Sequence, residues 1–118
     1  MARSRFAGLR RHRLGPGAVV FEAGTVRSRL FGLAFLRGDR FPRENGLVLR
    51  PCGSIHTFGM RFSIDVAFAD ERGRVLRVIP DLPPRRIRRC PGAAVALEAH
   101  AGELSRFLRW PIPRAGPA

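Results

Sequence analysis

Residues 61–79, RFSIDVAFADERGRVLRVI, leave little choice of fold. Phe62, Ile64, Val66 and Phe68 alternate with Ser63, Asp65, Ala67 and Ala69. That period of two predicts a strand with large apolar residues on one face and small or polar ones on the other. Asp70-Glu71-Arg72-Gly73 then predicts a hairpin turn, with Gly73 in the left-handed position, and RVLRVI as the returning strand. A two-stranded hairpin is not stable alone in water, so the rest of the chain has to supply a sheet and something to cover it.

The other segments read accordingly. AVVFE (18–22), GLVLRP (46–51, ended by Pro51) and AAVALEA (93–99) predict further strands. Thr25 is placed as an N-cap for VRSRLFGLAFLR, where Val26, Leu30, Leu33 and Leu36 or Phe35 fall at helical spacing. HAGELSRFL predicts a short closing helix. RGDRFPRENG reads as a loop, CGSIHTFGM as a loop with short extended pieces, and PDLPPRRIRRCPG as a long connection. At 118 residues the chain has room for one modest core. The expected organisation is a mobile basic arm over 1–16, a single β-rich domain over 17–110 and a Pro-rich tail over 111–118. The expected fold is mainly β: a small β-sandwich or jelly-roll-like barrel with one or two short helices.

Charge narrows the partners. The formal net charge is +13, and all 22 basic residues are Arg. Such a surface favours polyanions through counterion release. GC-rich codon usage produces the same composition, so the charge has a bland reading too. The densest cluster is RRIRR, giving Arg85, Arg86, Arg88 and Arg89 as candidate phosphate contacts, with Arg3, Arg5, Arg10, Arg11 and Arg13 of the arm as additions. No run reaches the roughly 18 apolar residues of a membrane span. The basic start lacks an apolar region behind it, and the expected compartment is the cytoplasm. Two well-separated cysteines, Cys52 and Cys90, are expected to be free thiols there.

The reactive side chains concentrate in PCGSIHTFGMRFSIDV, residues 51–66. Cys52 and His56 stand four apart, which suits a zinc pair, but a structural zinc site needs four ligands and no second close pair follows. A Cys52 nucleophile with His56 as base and Asp65 as orienter is a further reading. Asp65 falls on the small-residue face. On that face it is a solvated acid, a member of a polar network with His56 and Thr57, or a buried carboxylate paired with Arg29, His56 or Arg61. Phe58 and Met60 read as core or loop-anchoring residues.

RLFGLAFLR, GLVLRPCGSIHTFGMRFSIDVAFADERGRVLRV and AVALEAHAGELSRF together resemble the small prokaryotic domain-of-unknown-function family 192 over roughly residues 17–108. The ordered pattern from Pro51 to Val66, with Leu97, Glu98 and Gly102, carries the resemblance. It implies a compact β-sandwich or jelly-roll-like domain with a helix near its N-terminus, and no assigned activity. Ser63 stands where the family usually has Pro, and RWPIPRAGPA replaces a Gly-Asp-bearing strand.

Three functional readings stay open. The first is a module binding a small ligand or protein through Cys52, Ser54, His56, Thr57, Asp65 and Arg29, with no cofactor or metal and no required catalysis. The second is a nucleic-acid-associated protein using Arg85, Arg86, Arg88 and Arg89. The third is a Cys/His enzyme or metal protein. Oligomeric state and ligand identity are not legible in the residues.

Overall fold

The computed structural model describes residues 9–23 and 41–112. Among these, eight strands follow in chain order: β1 (Arg10–Gly15), β2 (Ala18–Ala23), β3 (Asn45–Leu49), β4 (Ser54–His56), β5 (Ile64–Ala69), β6 (Val75–Leu82), β7 (Ile87–Arg89) and β8 (Val95–His100). Six of them form one sheet in the order β1-β2-β3-β8-β5-β6, and β4 and β7 form a separate two-stranded ribbon. β2 and β3 run parallel; every other pair is antiparallel. The sheet does not close into a barrel, because β1 and β6 remain at its edges.

The hairpin forms as its alternation dictates. Gly73 takes a φ of 83°, a conformation that costs glycine little. The Asp70 carboxylate accepts the backbone N–H groups of Arg72 and Arg74, both at 2.9 Å, and so ties the turn. β6 is an edge strand and carries Pro80, which has no N–H to donate to a ladder.

β5 is buried on both faces. Ile64, Val66 and Phe68 join Leu47 and Leu49 of β3 in a first core, covered by Ile55 of the ribbon together with Met60 and Phe41. Ala67 and Ala69 lie in a second core, against Val48, Leu97 and the C-terminal residues Leu104, Phe107 and Ile112. The small residues of β5 therefore leave room for the C-terminal segment to lie close on the sheet. Phe107 is fully buried there, and a side chain of that kind contributes about 2–3 kcal/mol through apolar burial.

Polar contacts fasten the same segment. Arg106 donates to Glu103 at 2.8 Å and to the carbonyl of Gly17 at 3.0 Å, while Arg43 reaches Glu103 at 3.2 Å. The Arg106 hydrogen bond, with help from Arg43, holds the Glu103 carboxyl below its ordinary range. Trp110 packs against Gly15, where an added Cβ would collide with the indole Cζ2 and lie 2.7 Å from Cη2. Only glycine admits the ring at that distance.

Three expectations change. The basic arm of 1–16 is strand from Arg10 onward: β1 pairs with β2, and His12 lies 3.3 Å from the Glu22 carboxylate. Arg10, Arg11 and Arg13 are exposed, and charged side chains on an edge strand are a common guard against pairing with another chain. The closing helix is only a 3-10 turn, Leu104–Arg106, since Gly102 at φ 87° starts it late and Pro111 follows closely. The long connection after Ile79 is partly strand, contributing the end of β6 and all of β7. The helix expected near 26–37, residues 1–8 and the tail beyond Ile112 lie outside the described residues.

Candidate functional site

The ribbon is built from the two stretches that the sequence singled out separately. After the cis Arg50–Pro51 peptide, Cys52 Sγ donates to the carbonyl of Ser54 at 3.1 Å. Cys52 also packs against the first core, and no disulfide joins it to Cys90. β4 then pairs with β7 in the register Ser54↔Arg89, Ile55↔Arg88 and His56↔Ile87. Residues directly opposite one another share a face. Ile55 turns inward to the core, so Ser54, His56, Ile87 and Arg89 turn outward together.

Thr57 fixes the turn that follows. Its N–H donates to the carbonyl of Arg86 at 2.8 Å, its hydroxyl donates to the carbonyl of Pro83 at 2.8 Å, and it accepts the N–H of Arg86 at 2.8 Å. Its carbonyl accepts the N–H of Arg85 at 3.2 Å. Arg85 is held at φ 66°, uncommon for a residue with a side chain. The basic stretch is therefore an ordered turn and strand rather than a loose loop. Arg85, Arg86 and Arg89 are exposed, and Arg88 is half-buried. Among the described residues none of the four makes an ion pair; the bonds of Arg86 and Arg88 go to nearby carbonyls. Arg77 of β6 joins them by donating to the carbonyl of Arg89 at 2.9 Å.

Two apolar side chains stand among these charges. Ile87 is 53 % exposed and Phe58 49 % exposed. The Phe58 ring lies 6.0 Å from the ring of His56. Of the two residues expected in the core or as loop anchors, Met60 is buried and Phe58 is a surface residue. Gly59, at φ 80°, turns the chain between them.

Asp65 is not part of this surface. It shares its face of β5 with Ala67 and Ala69, on the side of the sheet opposite the ribbon. It is 5 % exposed, and its carboxylate accepts the backbone N–H groups of Asp81 (2.9 Å), Gly102 (2.9 Å) and Leu104 (3.2 Å). These N–H groups, rather than His56 or Arg61, compensate its burial. The expected grouping of Cys52, His56 and Asp65 does not converge, and Arg29 lies outside the described residues. Among the described residues no group of three or more His, Cys, Asp or Glu could hold a metal ion.

Glu98, part of the pattern that carries the family resemblance but not of the expected site, is a buried acid. It stands opposite Leu47 on β3 and Val66 on β5, so its side chain enters the first core. It is 2 % exposed, and burial raises its pKa from 4.5 to about 8. Its Oε2 and the Nδ1 of His56 are buried without a hydrogen-bond partner. Two residues on, His100 packs against Phe62 and Phe41, with ring centroids at 4.6 and 5.3 Å, and its Nε2 meets the Phe41 carbonyl. The available signal was an acid inside the apolar run VALEA; nothing in that run said which face it would take.

The family model DUF192 (Uncharacterized ACR) matches residues 16–108. No curated protein matches the chain at a significant level. A crystal structure of a candidate transcription regulator from Sinorhizobium meliloti 1021 is similar, with a TM-score of 0.67, 18% identity, and coverage of 76% of this chain and 74% of that one. A protein of unknown function from Novosphingobium aromaticivorans DSM 12444 is also similar, with a TM-score of 0.66, 19% identity, and coverage of 82% and 76% respectively. At these identities the likeness is one of fold.

Proposed function

This chain belongs to the DUF192 family, and we propose that it binds nucleic acid through the outer face of the β4–β7 ribbon. One observation carries the reading. Arg85, Arg86 and Arg89 are exposed on a ribbon whose backbone Thr57 fixes, with Arg88 half-buried opposite Ile55, and among the described residues no carboxylate neutralises the four. A backbone already held in place does not have to be ordered on meeting phosphates, and Arg is suited to contacting them two bonds at a time. The polar residues first read as a ligand site, Ser54, His56 and Thr57, belong to the same ribbon. They serve here as its frame and its neutral surface. Contacts to the phosphate backbone hold the strand without reading its sequence.

A protein of this charge attracts polyanions everywhere, so the test compares two clusters. Arg85, Arg86, Arg88 and Arg89 are replaced together by Gln; in a second variant Arg10, Arg11 and Arg13 are. Affinity for a labelled 20-nucleotide strand is measured by anisotropy across a salt series. The ribbon variant is expected to lose affinity sharply and to lower the slope of log K against log salt by roughly 2–3. The β1 variant should change little. Equal losses per charge removed would mean diffuse attraction and would overturn the reading.

A further inference from the structure

We infer that the nucleic acid taken by the ribbon is single-stranded, with an unpaired base seated on Phe58 beside His56 and Ile87. The inference rests on the reading of the ribbon as a phosphate-binding surface and adds what that surface recognises. Phe58 and Ile87 are each about half exposed. Single exposed apolar residues are common and by themselves mean nothing. These two are connected: Ile87 stands directly opposite His56, whose ring lies 6.0 Å from that of Phe58. Together they make a small apolar and aromatic platform. Arg89 shares its face, and Arg85 and Arg86 flank it at the turn.

An aromatic platform beside arginines is how proteins hold single strands without sequence preference, because every base has a face to stack and every linkage a charge. A duplex offers the phosphates but keeps its base faces covered. Charge complementarity also argues against a second copy as the occupant, since two chains of +13 repel. An acidic protein segment would satisfy the arginines but has no bases for the platform.

The experiment measures the wild type, Phe58→Ala and Phe58→Trp against four probes: a 20-nucleotide single strand, the matching duplex, inorganic polyphosphate and poly-glutamate. The wild type should prefer the single strand. Phe58→Ala should weaken single-strand binding by roughly five- to fifty-fold, leave polyphosphate binding unchanged and keep the same salt slope. Phe58→Trp should retain or tighten it. Unchanged single-strand affinity in Phe58→Ala overturns stacking, even where the arginine variant still loses binding and the ribbon reading stands. Poly-glutamate binding as tight as the single strand, with the same dependence on Phe58, overturns the choice of nucleic acid. Loss of polyphosphate binding in Phe58→Ala also overturns the inference, because the ring would then be supporting the arginines.

Discussion

Among the described residues each face of the six-stranded sheet buries one carboxyl group, and the two are treated in opposite ways. Asp65 and Glu98 sit on neighbouring strands one register step apart, Asp65 opposite Ala99 and Glu98 opposite Val66. Asp65 faces the C-terminal segment and collects three backbone N–H donors from β6 and residues 102–104. Glu98 faces the ribbon side, among apolar residues, with an oxygen that finds no donor. The first carboxylate organises its surroundings; the second is tolerated by staying protonated. Burial alone does not tell what an acid does. The number of donors brought to it does.

Replacing each acid tests that contrast, and the largest effect belongs to Asp65→Ala. Three N–H groups lose their acceptor, and the start of the C-terminal segment loses its anchor. Hydrogen bonds to a charged group are worth about 1.5–3 kcal/mol each, so a loss on the order of 4 kcal/mol or more is expected in chemical denaturation. A loss below about 1 kcal/mol would mean that the donors find water and that Asp65 is not an organiser.

Glu98 should respond to pH instead. Its carboxyl titrates near 4.5 when unfolded and at about 8 when folded. Between those values the folded state holds the extra proton, so raising the pH withdraws stability, by up to about 1.4 kcal/mol per pH unit. The stabilisation is fully present below pH 4.5 and is gone above 8. Glu98→Gln carries no such proton. Its melting temperature should track the wild type near pH 4 and exceed it at pH 8. Parallel curves across the range would show that Glu98 is ionised and partnered in the fold. The smallest effect is expected from Asp65→Asn, about 1–2 kcal/mol, since one carbonyl oxygen still serves part of the set while the amide turns a donor toward donors. A cost equal to that of Asp65→Ala would show that the single remaining carbonyl oxygen rescues none of the three donors.

The contrast also marks what the residues disclosed in advance. The hairpin was legible because Phe62 to Phe68 alternate and Gly73 marks the turn. Strands β2, β3 and β8 were legible as short apolar runs. β1 was not, since its arginines look the same in a strand at the edge of a sheet as in a free arm. β4 and β7 are three residues each and exist by pairing with one another across some thirty residues, which no local pattern reports. The candidate site was half legible for the same reason. Ser54, His56 and the 85–89 arginines were each visible, but their union depends on the register Ser54↔Arg89. Asp65 was recognised as a residue needing partners, and the partners proved to be backbone groups, which carry no letter in the sequence. Phe58 was left open between core and loop because an aromatic next to Gly59 and Met60 reads equally well as either.

The seat of Trp110 over Gly15 gives the chain a built-in gauge. The protein has one Trp and no Tyr, so its ultraviolet emission reports on that single ring. The ring joins the first strand to the end of the C-terminal segment, two regions almost a hundred residues apart in sequence. Any event that lifts the segment from the sheet, whether loss of the Asp65 anchor or a change in solvent, exposes the indole to water and shifts its emission to the red. Closure of the fold can therefore be followed in solution without a label.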